Sequence, residues 1–502
     1  MPILAHKPIK KKRKVLILLS VIVLAVVIVL ILNFLPKPDL QKSDYSTLSW
    51  TEAFSKLHNR ISKEYAFTDW KKMEWKNLYN EYSLKIKAAQ DKDDFDAYYI
   101  ALRSYLHEIP DGHVGCTNLR DIDDKYIGGG LGFSIARLED NKIIISWVDE
   151  AGPAWAQGIR TGAELLKWNG VDVREAVTQV STVFANNSAT KEDLILKQTQ
   201  YLVRAPIATE IKVSLINEGE IKPREVLLTA YDDKKESMKK SYPDAVVSDR
   251  LRDAILEIEN TSPMPEAMVE KKTLEGNIIY IKIWGEFDAD LQQNGKSSPT
   301  LELLRKYVQD AIDAKSNGII LDLRNNLGGL DEMAADILGS FYSEKTFYEY
   351  QNAYNPETGQ REILMADAKT GLWALYINPA EHIYRGRIIA LINTKCISSG
   401  EGIAMGIRNL PNGDTLGYYG TNGSFGLSGA EALMPGGLTV RWPSGQSLDE
   451  NKKIQLDSRD QVGGVSPSIK IPITAQNAIR ITNGEDVELE KALQVLISES
   501  SQ

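Results

Sequence analysis

Between residues 49 and 108 the apolar positions recur every three or four residues. Trp50, Ala53, Phe54, Leu57, Ile61 and Tyr65 form one stripe; Phe95, Tyr98, Ile100, Leu102 and Leu106 form a second. This spacing predicts helices. The pattern changes near residue 127. Apolar runs at 142–148 and 211–215 then alternate with Gly-rich turns, which predicts strands. Residues 232–272 are charged and irregular and read as a linker with a helix inside it. From Gly276 onward, strand patterns at 277–284, 318–323 and 388–393 alternate with helical ones at 300–315 and 489–498. That alternation predicts βαβ units and a largely parallel, layered sheet. The expected class is multidomain α/β.

The first 35 residues break the globular pattern. Lys10, Lys11, Lys12, Arg13 and Lys14 form a basic run, and residues 15–35 follow without a charge. A helix over that stretch spans about 30 Å, the thickness of a bilayer core. A cleaved signal peptide is the other reading, but the apolar core is long and no A-x-A site follows. The expectation is a 1–14 cytoplasmic tail and a 15–35 transmembrane signal-anchor in the cell membrane. Everything from Pro36 onward would then lie on the extracytoplasmic side of the membrane.

Composition narrows the function classes. The chain has 502 residues, 43% hydrophobic and 25% charged, with a net charge of −9. Scattered acidic residues argue against a nucleic-acid partner, which needs basic faces. Five His and two Cys, with no CxxC or HExxH spacing, give no reason to expect a metal or other cofactor.

Three segments carry candidate chemistry, and each has a plain structural reading beside it. Residues 318–329 run from an apolar strand into a polar loop closed by Gly328 and Gly329. Paired glycines present bare N–H groups to a ligand, or they simply make a turn, with Asp322, Arg324 and Asn325 as braces. Residues 391–402 run from a strand into a helix with Ser398 and Ser399 at the junction. Serine there caps a helix, and Ser398 with Glu401 has capping-box spacing; the same site also suits a nucleophile. Residues 110–116 put His113 in a tight turn, where it is either an ordinary loop histidine or a general base.

Together these segments resemble the C-terminal-processing and tricorn-like serine peptidases, the tail-specific protease family. Asp322-Leu323-Arg324-Asn325-Asn326 with Gly328-Gly329 resembles the D-x-R-x-N-x-G-G loop. Asn393 to Glu401 resembles the family's serine segment, and Asp111-Gly112-His113 its D-G-H element. The resemblance implies Ser398 as nucleophile, His113 as base and Glu401 as the acidic residue three positions later. It implies an oxyanion hole from Ser399 with Gly328 or Gly329. The lysine of the Ser–Lys branch is absent, since none occurs between Lys395 and Lys452. The family's later acidic residue falls on Gln461, with Asp460 beside it, so the group that orients His113 stays open. The implied catalytic fold is of the ClpP/crotonase type.

Gly130-Leu131-Gly132-Phe133 matches the carboxylate-binding loop of PDZ domains, whose N–H groups hold a peptide C-terminus. A blocked or regulatory groove is the alternative. Cys116 and Cys396 flank the two catalytic segments, so a disulfide between them is one expectation in an oxidising compartment. The expected organisation is a helical domain at 36–126, a PDZ domain at 127–231, a linker at 232–275 and a catalytic domain at 276–502. The expected function is a membrane-anchored serine endopeptidase acting on proteins or peptides recognised by their C-termini. A catalytically inactive binding or scaffold protein of the same fold is the rival.

Overall fold

The computed structural model describes residues 42–249, 265–289, 298–367 and 371–500. The chain divides after Ser43 into an N-terminal unit, of which Lys42 and Ser43 are described, and a second unit that carries everything below. The expected tail at 1–14 and membrane span at 15–35 lie outside the described residues. Among the described residues no helix is long and apolar enough to cross a membrane.

Three helices open the second unit: Trp50–Glu64, Trp75–Asp91 and Phe95–His107. Ser49 caps the first, its side chain accepting from Glu52 N. The stripe of Ala53, Phe54, Leu57 and Ile61 is buried as its spacing requires. Each large apolar side chain taken from water contributes about 1.5–3 kcal/mol. The helices do not complete this core alone. Ala432, Met434, Leu438, Val440 and Trp442, from the distant hairpin Gly426–Met434 and Leu438–Leu448, fill the same cluster. Strand Gly115–Cys116 then pairs antiparallel with that hairpin, Gly115 opposite Arg441 and Cys116 opposite Val440. The chain on either side of His113 is therefore pinned to the C-terminal third of the molecule.

Residues 129–230 form an antiparallel sheet. Its order is Arg224–Thr229, Glu210–Ile216, Glu164–Trp168, Ile143–Val148 and Phe133–Arg137. Helix Lys191–Leu202 lies along the edge strand Phe133–Arg137. Leu131 and Phe133 point into this sheet's own core.

The third layer system is a six-stranded sheet: Ala267–Leu274, Ile278–Asp288, Gly318–Asp322, Ile388–Leu391, Gly413–Gly417 and Ile469–Lys470. The first pair is antiparallel and the rest are parallel. Part of the range read as a linker is thus an edge strand of this sheet. Its apolar alternation is masked by Glu270, Lys271 and Lys272. Separate cores cover the two faces, one with helices Pro299–Asp313, Asp331–Leu338 and Ser399–Arg408, the other with Ala475–Thr482 and Val487–Ser500. The inner strands Gly318–Asp322 and Ile388–Leu391 are buried on both sides, which accounts for their apolar runs of Ile and Leu. Loops 323–330, 392–398 and 418–424 leave the carboxyl ends of three neighbouring parallel strands. Open parallel sheets build their sites at that edge.

Candidate active site

Ser398 sits where strand Ile388–Leu391 turns into helix Ser399–Arg408. Its backbone has φ 58° and ψ −133°, and its side chain makes no cap hydrogen bond. The capping reading therefore fails. A non-glycine residue held in such a region costs about 1–3 kcal/mol and persists only where the surroundings impose it. Here they do: Ser398 N donates to Ser424 O at 3.0 Å, and Ile397 N to Asn326 O at 3.1 Å.

The glycine loop presses on this junction. A β-carbon on Gly328, at φ +73°, would lie 2.5 Å from Ser398 Cβ and 3.2 Å from Oγ. A β-carbon on Gly329 would lie 2.3 Å from Glu286 O. Asn326 holds the loop from inside. Its Nδ2 donates to Ile283 O and Glu286 Oε1, and its Oδ1 accepts from Gly328 N at 2.8 Å. The Gly328 N–H is thus already bonded, which leaves Gly329 and Ser399 as the candidate oxyanion donors. Ser399 N opens a helix, where N–H groups lack intrahelical acceptors. Its Oγ donates to Asp331 Oδ1 at 2.7 Å and Gly329 O at 3.1 Å, locking helix to loop. Asp322 and Arg324 act elsewhere: Arg324 is buried in ion pairs with Asp322, Asp486 and Glu488.

Glu401 does not serve the reacting hydroxyl. Its buried carboxylate accepts from Thr421 Oγ1 at 2.6 Å, Gly423 N at 2.8 Å and Ser424 N at 2.9 Å. Ser424 in turn bridges the two motifs. Its carbonyl holds Ser398 N, and its Oγ accepts from Gly112 N at 2.8 Å. Gly112 also faces Ile397, whose Cδ1 would lie 2.8 Å from a β-carbon there. The sequence-distant serine and histidine loops are neighbours through these contacts. No hydrogen bond joins the His113 and Ser398 side chains among the described residues; such bonds often tighten only when substrate binds.

The partner of His113 is Asp111. Asp111 Oδ1 accepts from His113 N at 2.9 Å and lies 3.6 Å from Nδ1. Tyr65 donates to its other oxygen at 2.9 Å. Buried Lys71 lies 3.5 Å from Asp111 Oδ2 and 2.9 Å from Asp457 Oδ1. Burial pushes the Asp111 carboxyl up, but Lys71 and then His113 outweigh it and hold it well below the usual range. Burial pushes the His113 imidazole down, but Asp111, then Asp457 and Glu401, reverse this and raise it. Burial pushes Asp457 up to about 6 and Glu401 up to about 7.

Two expectations are corrected here. Asp460 and Gln461 are exposed, and Asp460 pairs with Lys72 on the surface at 2.7 Å. The loop turns outward after Asp457, so the acidic residue that reaches the histidine network lies three positions earlier. Cys116 and Cys396 are both free thiols. Cys116, on strand Gly115–Cys116, packs against the helical core, while Cys396, in the loop after strand Ile388–Leu391, is buried in the core of the parallel sheet, so the two belong to different cores. Asp111 was readable as part of D-G-H; nothing in the sequence marked Lys71.

At the glycine-rich loop of the second region, Gly130 N donates to Tyr231 O at 2.9 Å, so it is not a free carboxylate donor. Gly132 has φ +79°, with the Tyr231 hydroxyl 3.2 Å from where a β-carbon would be. The groove between Phe133–Arg137 and Lys191–Leu202 is roofed by the chain itself. A cavity of about 280 Å³ lies there, lined by Ile135, Ile195 and Thr199 on one side and Tyr242, Tyr419 and Ile481 on the other. Glu139 N donates to Ile473 O at 3.1 Å, and Gln200 Nε2 to Tyr242 O at 2.6 Å.

Comparison with known proteins agrees with this architecture. The model of peptidase family S41 matches residues 277–471, and that of the PDZ domain matches residues 121–196. Among solved structures, mature CPAF is 14% identical with a TM-score of 0.60, over 90% of this chain and 98% of that one. Mature CPAF complexed with lactacystin gives 14% and 0.59, over 90% and 99%. These likenesses establish a shared fold. No curated protein matches the chain. The chain thus carries a PDZ domain followed by a catalytic sheet that matches peptidase family S41, the tail-specific proteases, and is a serine-type peptidase.

Proposed function

We propose that the chain is an endopeptidase in which Ser398 is the nucleophile and His113 the general base. The observation that carries this is the strained Ser398 backbone at a strand-to-helix junction, with Gly328 against its side chain and Ser424 tying it to the histidine loop. In this reading His113 takes the Ser398 Oγ proton as Oγ attacks the peptide carbonyl. Backbone N–H groups of Gly329 and Ser399 receive the developing oxyanion. The intermediate collapses, the C–N bond breaks, and the imidazolium gives its proton to the leaving amine. Water, deprotonated by the same histidine, then releases the acyl group. Asp111 holds the imidazole and stabilises its charged form.

The PDZ domain supplies recognition in the same proposal. Substrate C-termini add as a strand along Phe133–Arg137, beginning at Leu131 and Gly132. The roof made by Tyr242, Tyr419 and Ile473 supports a closed resting form that such a peptide must part. The basic run before residue 15 and the uncharged stretch to residue 35 support membrane anchoring, with the peptidase outside; alkaline carbonate extraction of the full chain tests that.

A serine-directed fluorophosphonate tests the chemistry. Wild type should label, and Ser398→Ala should neither label nor cleave peptides. Labelling that survives Ser398→Ala refutes this assignment. Absence of both labelling and cleavage in wild type returns the chain to a binding role.

A further inference from the structure

We propose that Lys71 is a positioning residue of the peptidase centre: its ammonium neutralises Asp457, so that the Lys71–Asp111–Asp457 cluster presents a single net negative charge, that of Asp111, to His113. This rests on the Ser398–His113 reading above. Lys71 belongs to the turn between the first two helices, far in sequence from the two carboxylates it pairs with. Its side chain is 1% exposed. Its Nζ lies 2.9 Å from Asp457 Oδ1 and 3.5 Å from Asp111 Oδ2, and it donates to Pro110 O at 2.8 Å. The Phe67 ring lies 5.2 Å from the ammonium.

A buried ammonium is costly unless paired, and two carboxylates this close cannot both stay ionised without a cation. The triad solves both problems and carries a net charge of minus one. Asp457 is otherwise committed to the loop, accepting from Phe425 N at 2.8 Å. Asp111 is left to serve the imidazole. The other groups that face this network are the Tyr65 hydroxyl, bonded to Asp111, and Arg361, which bonds Tyr65 O. Glu401 and Asp331 act on His113 from the starts of their helices.

A purely structural ion triad and a positioning role differ in one observable. Removing the ammonium leaves an extra negative charge facing the imidazole. A proton shared between the two carboxylates offsets that charge only in part and does not reverse its sign. The acid limb of activity must therefore move to higher pH. Neutralising Asp457 while keeping Lys71 must move it to lower pH.

The experiment follows kcat/KM for a peptide, and the rate of fluorophosphonate labelling, against pH. The full chain is used as wild type, Lys71→Met, Asp457→Asn, Lys71→Arg and Lys71→Met/Asp457→Asn. In Lys71→Met the acid limb should rise by about half a unit or more, with kcat about tenfold lower and KM little changed. Asp457→Asn should shift the limb down. Lys71→Arg and the double variant, which keep the charge balance, should return it to the wild-type position. A limb that stays put in both single variants, or that moves as far in the double as in Lys71→Met, overturns the proposal. If Lys71→Met does not fold, Asp457→Asn against the double variant decides by the sign of its shift. A wild type that neither labels nor cleaves refutes the Ser398–His113 reading instead.

Discussion

Gly328 and Ser398 are in such contact that a single added methyl on the glycine would fall 2.5 Å from the serine Cβ. Real carbons do not approach so closely, so one of the two loops must move. Gly328→Ala also places a side chain at φ +73°, where only glycine is unstrained. The expected outcome is a loss of kcat of at least about 100-fold, as a displacement of about 1 Å at a nucleophile can produce. Stability should fall by about 1–3 kcal/mol. Activity within threefold of wild type would mean that the loop is not packed on the serine in solution.

The Ser398 backbone itself makes a separate point. Ser398→Ala and Ser398→Gly should both be inactive, yet not equally stable. Glycine relieves the φ 58° conformation and alanine keeps it. We expect Ser398→Gly to exceed Ser398→Ala by about 1 kcal/mol in denaturant unfolding, despite the greater entropy of glycine in the unfolded chain. Equal stabilities, or a more stable alanine variant, would show that the turn is not strained.

Asp111 and Asp460 separate the observed network from the one expected by motif alignment. Asp111→Asn should cost kcat about 100-fold or more, by analogy with removal of any carboxylate that orients a catalytic base. Asp460→Asn and Gln461→Ala should leave kcat/KM within about twofold, since the exposed Lys72–Asp460 pair is of the kind that contributes little. The reverse ranking in a cleavage assay would restore Asp460.

What the sequence made legible, and what it did not, follows the range of the forces involved. Local patterning identified the first-helix stripe from Ala53 to Ile61 and the buried strands at Gly318–Asp322 and Ile388–Leu391, because each depends on periodicity within one element. The glycine loop and Ser398 were legible as short motifs with a local geometric need. Lys71 and Asp457 were not. Their significance lies in meeting each other across nearly the whole chain, and a lysine or aspartate in a loop has no local signature of burial. The shared core of the helices with Trp442 was hidden for the same reason. The roofed PDZ groove depends on Tyr242 and Tyr419, whose place over Ile195 no spacing rule encodes.

Glu286 gives a last test, in which activity and stability move in opposite directions with pH. Burial pushes its carboxyl up to about 8, against the Asn326 amide that supports the charged form. Burial pushes Glu401 up to about 7, and the neighbours of His113 raise that group as well. Groups raised in the folded state bind more protons there than in the unfolded chain. Their stabilisation is present below the unfolded value and is lost as pH rises through the folded one. His107 has the opposite sign, held down to about 4 by burial, but its effect ends near pH 6.5. From pH 6.5 to 8, therefore, the melting temperature should fall. Over the same range kcat/KM should rise, because His113 must lose its proton to act. Glu286→Gln imitates the protonated carboxyl and can keep one oxygen for Asn326 Nδ2, so it should fold and flatten the fall in melting temperature without moving the acid limb of activity. A slope identical to wild type would show that Glu286 is ionised throughout and that its burial is offset by a group other than Asn326.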